Sequence, residues 1–119
     1  AEGKARESLE TLFSSCASGD FEKAAGYIVY RGSDKAREWK DTCTCAGEEE
    51  KKQVILICAR INEYLAGDSR YSFVEFSLEE ESEGNWYVLE VEFMSPGKKE
   101  SAVFAFLEIN GRFALGDID

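Results

Sequence analysis

The sequence predicts an α+β fold in which N-terminal helices pack on a curved, four-stranded antiparallel meander sheet. Apolar residues recur at helical spacing up to residue 66 and alternate with polar residues after residue 70. Turn signals at regular distances separate the alternating segments, as expected for consecutive hairpins. A chain of 119 residues is long enough for one hydrophobic core and too short for two, so residues 1–119 are assigned to a single domain.

Two amphipathic segments open the chain. Residues 4–18 predict a first helix that should end at Gly19, because glycine readily adopts the left-handed conformation of a helix C-terminus. Asp20 is placed to cap a short second helix that begins at Phe21. The apolar positions of the two helices are Ala5, Leu9, Leu12, Phe13, Cys16, Phe21, Ala24, Ala25 and Ile28.

The next two helices flank a cysteine-bearing loop. Residues 33–41 predict a short third helix capped by Ser33 or Asp34, and residues 42–47 predict a loop. Residues 48–66 predict the longest helix, which Gly67 should end. Its first turn is acidic, which suits the positive end of the helix dipole. Its buried stripe is formed by Val54, Ile57, Cys58, Ile61 and Leu65.

Three turn signals divide the rest of the chain into four strands: Glu83-Gly84-Asn85, Pro96-Gly97 and Asn110-Gly111. A two-residue turn at Asn110-Gly111 pairs Ile109 with Arg112. Counted along the strands, this register sets Phe106 opposite Leu115 and Phe104 opposite Asp117.

The predicted register gives the sheet two unequal faces. The face toward the helices is apolar and comprises Val74, Phe76, Leu78, Leu89, Val91, Phe93, Ala102, Phe104 and Phe106. The opposite face mixes glutamates with a second apolar set, namely Val88, Val103, Ala105, Leu107, Ile109, Ala114 and Ile118. Such an area indicates an interaction surface, and a homodimer through the sheet is one interpretation. Cover by N-terminal residues or by a curled sheet edge is the other.

Charge and composition exclude several functions. The net charge of −10 would repel a nucleic acid backbone, and the absence of histidine excludes Ser-His-Asp triads, Cys-His dyads and His-bearing zinc sites. No cofactor is expected. The acidic cluster Glu79, Glu80, Glu81, Glu83 could hold Ca²⁺, but it lacks the spacing of a calcium loop, so a solvated turn is favoured and no metal site is assigned.

The chain has no apolar run long enough for a transmembrane segment, and its charged N-terminus is unlike a signal peptide. It starts without methionine. We therefore expect a removed leader or lipoprotein anchor and an extracytoplasmic location, in the periplasm or at the cell envelope.

Two short motifs resemble the NTF2-like superfamily, also described as cystatin-like. The run Gly19-Asp20-Phe21-Glu22-Lys23-Ala24-Ala25 matches its frequent G-D-[FY]-x-x-A pattern, and residues 104–117 resemble its closing hairpin. Within that superfamily, the chain resembles the small secreted or lipoprotein bacterial domains of the DUF4878 and lumazine-binding-like group. The resemblance implies a sheet wrapped by helices into a cone, with a cavity between them. Members include isomerases, dehydratases, transport factors and domains without known activity, so several functions are compatible.

The strand pattern suggests which residues would line that cone. They are Phe76, Tyr87, Leu89, Phe104, Phe106 and Leu115 from the sheet, with Tyr27, Tyr30 and Trp39 from the helical side. Residues of these types serve as core packing more often than as ligand contacts, and both interpretations stay open.

Asp117 is the candidate catalytic acid. The predicted register directs its side chain to the apolar face beside Phe104, where burial would raise its pKa and suit it to act as a general base. Ketosteroid-isomerase-like members of the resembled superfamily use a tyrosine and acids in such a cone. The alternative is that Asp117, two residues from the end of the chain, reaches water or caps a helix.

The four cysteines allow several outcomes. Cys43 and Cys45 are too close in sequence to bridge each other easily, but either could bridge to Cys16 or Cys58. We expect at least one disulfide, tying the 42–47 loop to a helix. Four reduced thiols, or a soft-metal site on Cys43 and Cys45 with a third thiol, are the alternatives.

The sequence thus favours a non-catalytic, extracytoplasmic binding or protein-interaction domain with an apolar cone-shaped pocket. Its partner would be a small apolar ligand or a protein. The alternative is a small-molecule isomerase or hydratase that uses a pocket carboxylate, with Asp117 as the candidate.

Overall fold

The computed structural model describes residues 1–82 and 84–119, and it confirms the predicted α+β class. Glu83, which the sequence places in the first hairpin turn and in the acidic cluster, lies outside the described residues. The strand order is β1-β2-β3-β4 with antiparallel neighbours, as the meander prediction requires. The elements in chain order are α1 (Glu2–Ser18), α2 (Phe21–Ala25), α3 (Glu48–Leu65), β1 (Arg70–Glu81), β2 (Gly84–Ser95), β3 (Lys98–Ile109) and β4 (Arg112–Ile118).

The boundary between α1 and α2 forms as predicted. Gly19 has a φ of 76°, and its N–H donates to the carbonyl of Cys16 at 3.2 Å, which closes α1. The carboxylate of Asp20 accepts a hydrogen bond from the Lys23 N–H at 3.2 Å and so begins α2. None of the described helices combines the length and the apolarity that crossing a membrane requires.

The predicted third helix at residues 33–41 is wrong, because this segment forms turns. The Glu38 N–H reaches the Asp34 carbonyl at 3.0 Å, as one helical turn would. Trp39 then has a φ of 66°, and its N–H donates to the Tyr30 carbonyl at 3.1 Å. Because Trp39 is in the left-handed conformation and its N–H bonds back to Tyr30, the chain closes a loop here and does not continue as a helix.

The last hairpin confirms the predicted turn chemistry. Asn110 and Gly111 have φ values of 51° and 80°, and Ile109 pairs with Arg112. Two successive left-handed residues are what a two-residue hairpin turn with the twist of the strands requires.

The core lies between the helices and the inner sheet face, by which we mean the face toward α1 and α3. Leu89, Phe104, Phe106 and Leu115 on this face are each at most 1% exposed. The Phe13 ring of α1 lies 5.5 Å from that of Phe104 in an edge-to-face arrangement. Burial of such side chains stabilises the fold by about 1.5–3 kcal/mol each.

A β-bulge corrects the predicted face of β1. Phe73 pairs with Val91 and Glu75 pairs with Glu90, so Val74 is an extra residue in the strand. Val74 is 52% exposed instead of lying on the apolar inner face. Tyr71 and Phe73 occupy that face in its place, packed edge to face at 5.9 Å.

The two edges of the sheet differ. The β4 edge is extended by the chain after α2, because the Val29 N–H donates to the Leu115 carbonyl at 2.9 Å and the Leu115 N–H donates to the Tyr27 carbonyl at 2.7 Å. This short pairing is parallel. At the opposite edge, β1 is the outer strand of the sheet.

Candidate functional site

Asp117 lies on the outer sheet face, which is the face away from α1 and α3, and not beside Phe104 as the sequence predicted. Phe106 pairs with Leu115, but Ala105 pairs with Asp117 and Phe104 with Ile118. The register shift leaves Gly116 as an extra residue, which turns Asp117 outward and Ile118 inward. Ile118, predicted on the outer face, is 5% exposed in the core, and the Asp117 side chain is exposed. This placement removes the candidate general base from the inner face.

The structure distributes the predicted pocket residues among several environments. Five are core residues at most 3% exposed: Tyr30, Leu89, Phe104, Phe106 and Leu115. The half-buried Phe76 and Tyr87 stack at 6.4 Å, and Tyr87 stacks on Phe113 at 4.5 Å. Tyr27 lines a groove of about 460 Å³ between α1 and the last hairpin turn.

Trp39, the remaining predicted pocket residue, covers part of the outer sheet face. Its ring packs edge to face on Trp86 at 5.7 Å, and the Arg31 guanidinium lies 4.5 Å from the Trp39 ring centre. Val29 and Trp39 pack against the predicted outer residues Leu107, Ile109 and Ala114. The chain between α2 and α3 therefore covers this half of the face, whereas the sequence had suggested cover by N-terminal residues or by a curled sheet edge.

A cluster around Arg37 ties the loop before α3 to the start of that helix. The Arg37 guanidinium donates to both oxygens of Glu50, at 2.9 and 3.2 Å, and to Asp41 at 2.7 Å. Glu50 also accepts the Thr44 N–H at 2.9 Å. Hydrogen bonds from Arg37 hold the pKa values of both Glu50 and Asp41 below their usual range. Because Arg37, Glu50 and Asp41 bond to one another, the cluster holds the loop against the start of α3, which is a structural role.

The disulfide joins Cys16 of α1 to Cys58 of α3, with 4.9 Å between their Cα atoms. Cys43 and Cys45 are free thiols, so the expected bridge from the 42–47 loop to a helix is wrong. Cys43 is buried, and this burial raises the pKa of its thiol to about 12. A thiol with that pKa is a poor nucleophile and a poor metal ligand near neutral pH.

The uncovered half of the outer sheet face forms a groove of about 300 Å³, which we call the outer groove. Its floor is apolar, and its rim carries carboxylates on the two outermost strands. Glu79 and Glu81 stand on the β1 side, and Asp117 and Asp119 on the β4 side. The floor residues are Trp86, Val88, Val103 and Ala105.

The rim carboxylates give the outer groove its electrostatic character. All four are exposed, and none takes part in an ion pair within the described part of the chain. Nor do residues 1–82 and 84–119 contain a group of three or more acidic or cysteine side chains that could hold a metal ion. An apolar floor bordered by exposed carboxylates is complementary in charge and polarity to an organic cation that carries apolar surface.

Sequence reasoning placed Val88, Val103 and Ala105 on this face but missed that Asp117 belongs there. Gly116 could have indicated this placement of Asp117 from the sequence, because a glycine inside a strand often marks a bulge.

Comparison with known proteins gives the fold alone. No known family model matches the chain, and no curated protein matches it. The chain is similar to the solved 2.5 Å structure of a protein from Catenulispora acidiphila, with a TM-score of 0.50 and 13% sequence identity, over 99% of this chain and 89% of that one. The structural match supports the α+β architecture, and 13% identity carries no assignment of activity.

Proposed function

We propose that this protein is a non-catalytic interaction module whose outer groove binds a cationic, partly apolar segment of a partner protein. The observation that carries the proposal is the pairing of an apolar floor with four exposed rim carboxylates outside the described ion pairs. Of the two partner classes that the sequence leaves open, a small apolar ligand and a protein, the spread of carboxylates across the face favours a protein segment with several cations.

We also propose that the protein belongs to the NTF2-like superfamily and is extracytoplasmic. The Gly19-Asp20-Phe21 motif and the order of helices before a meander sheet support membership of the NTF2-like superfamily. The bridge between Cys16 and Cys58 supports an extracytoplasmic location, since disulfides persist mainly in oxidising compartments.

Binding to the groove is tested with a synthetic peptide of about 15 residues built from lysine, leucine and alanine, a length at which a helix can form. The peptide is titrated into ¹⁵N-labelled protein, and amide chemical shifts are followed. We expect shifts at Val88, Val103 and Ala105. A peptide with glutamate in place of lysine should cause none, because its charges would face the rim carboxylates.

Neutralising the rim tests the role of charge. Glu79→Gln with Asp117→Asn should weaken peptide binding at least tenfold. The matched control, Glu22→Gln with Glu63→Gln, removes the same charge from exposed helical positions and should leave binding within twofold. Equal losses in both variants, or shifts confined to the helices, would contradict the proposal.

A further inference from the structure

A second surface of the chain is apolar like the floor of the outer groove but carries charge of the opposite sign to its rim. On α3, Ile55 is 39% and Leu56 70% exposed, next to the exposed Ala59. Lys51 precedes Ile55 by one helical turn, and Lys52 precedes Leu56 by one turn, so each lysine flanks an apolar residue on the same side of the helix. We call these five residues the α3 stripe.

The charge of the α3 stripe is unusual for this chain. The sequence has a net charge of −10, yet residues 51–62 contain three basic residues and no acidic one. Both stripe lysines are exposed and lie outside the described ion pairs. Beside the stripe, Lys52 and Leu56 help to line a cleft of about 590 Å³. The stripe is thus an apolar surface with positive charge outside the described ion pairs, which is the chemistry proposed for the partner of the outer groove.

The dimensions of the two surfaces also match. Glu79 and Glu81 stand on β1 and Asp117 on β4, and these strands are three spacings apart in the sheet, which is about 14 Å. An α-helix with its side chains is about 10–12 Å across. One helix therefore fits between the two rows of carboxylates, with its apolar side on the groove floor and its lysines directed to the rim.

We propose that the partner segment of the outer groove is α3 of a second copy of this chain, docked by the α3 stripe. This inference rests on the proposed function, since it names the partner of the same groove. A homodimer that packed outer groove against outer groove would instead bring the carboxylates of both copies together without a compensating cation, which is unfavourable. The stripe-to-groove contact pairs opposite charges.

Self-association is tested by sedimentation velocity over a concentration series of the whole chain with its disulfide intact. The stripe variant carries Lys51→Glu and Lys52→Glu, and the groove variant carries Glu79→Lys and Asp117→Lys. We expect each reversal to weaken self-association at least tenfold. The groove variant is four charges less negative than the wild type, so general repulsion falls and weaker association must come from the lost local pairing.

Mixing the two variants provides the decisive measurement. The stripe variant keeps a wild-type groove, and the groove variant keeps a wild-type stripe. An equimolar mixture should therefore form a complex at concentrations where each variant alone sediments as a monomer. A mixture that stays monomeric, or a wild type that stays monomeric up to about 1 mM, would overturn the inference.

The peptide titration separates this inference from the proposed function. It is repeated on the stripe variant, whose groove is unaltered. Peptide binding without self-association of the wild type would leave the proposed function standing and reject the second copy as partner. Failure of the stripe variant to bind the peptide would reject both.

Discussion

Replacing Gly116 by alanine should destabilise the fold because the new methyl group would overlap the Trp86 ring. A Cβ at this position would lie 2.6 Å from Cζ3 and 2.7 Å from Cη2 of Trp86, a side chain only 8% exposed. Inserting a methyl group into a packed site of this kind costs about 1–3 kcal/mol. For a chain of 119 residues the melting temperature falls by about 4 °C per kcal/mol, so a fall of about 4–12 °C is expected.

The assays are thermal unfolding, for the melting temperature, and urea unfolding, for the free energy of unfolding, both followed by far-UV circular dichroism. Two further variants make them specific. Gly3→Ala lies where an added Cβ meets nothing within 4 Å, so the free energy of unfolding should stay unchanged or rise slightly. Trp86→Leu removes the ring that the new methyl group would meet. The double variant should therefore be more stable than the sum of the single effects predicts, by about 1 kcal/mol or more. Strict additivity would refute the idea that Trp86 is the reason for glycine at 116.

The disulfide and the Arg37 cluster give two more predictions. Cys16→Ser with Cys58→Ser should lower the free energy of unfolding by about 4 kcal/mol, because the bridge spans 42 residues. Reducing the wild-type protein should lower the free energy of unfolding by the same amount, which would confirm that no other bridge contributes. Glu50→Gln should cost about 1–3 kcal/mol at pH 7, because Glu50 accepts hydrogen bonds from a cation. The folded-state pKa of Glu50 is lowered, so its stabilisation is complete above the ordinary value of 4.5 and is lost as the pH falls through the lowered value. Unfolding measured between pH 7 and pH 3 should show the two proteins converging in acid, and a difference that grows with acidity would contradict this assignment.

The sequence was informative where local chemistry determines the backbone. Gly19 and the Asn110-Gly111 turn adopt the left-handed conformations that glycine and asparagine tolerate, and both were predicted. Alternation of apolar residues identified the inner face of β2 and β3, because successive side chains of a strand point to opposite faces and only one of these faces is buried.

The errors come from interactions between distant residues. Residues 33–41 have helical spacing, but Arg37 bonds to Glu50 and the Trp39 N–H bonds to Tyr30, which favours a loop over a helix. The predicted face of Asp117 was wrong because pairing residues outward from the turn assumes an unbroken register. One bulge moves every later side chain to the opposite face of the sheet. The choice of Cys58 as partner of Cys16 depends on how α1 and α3 pack, which spacing along the chain does not encode.

The bulge at Val74 has a consequence for solubility. β1 is twelve residues long and lies at the rim of the sheet, where a flat strand would offer a template for fibril growth. The extra residue breaks the regular spacing of its outward hydrogen-bonding groups, and Glu75 and the residues 79–81 add repelling charge to the same strand. A protein that exposes Val74 and Leu78 at this border can therefore stay dispersed, and deleting the bulged residue should make it form thioflavin-binding aggregates.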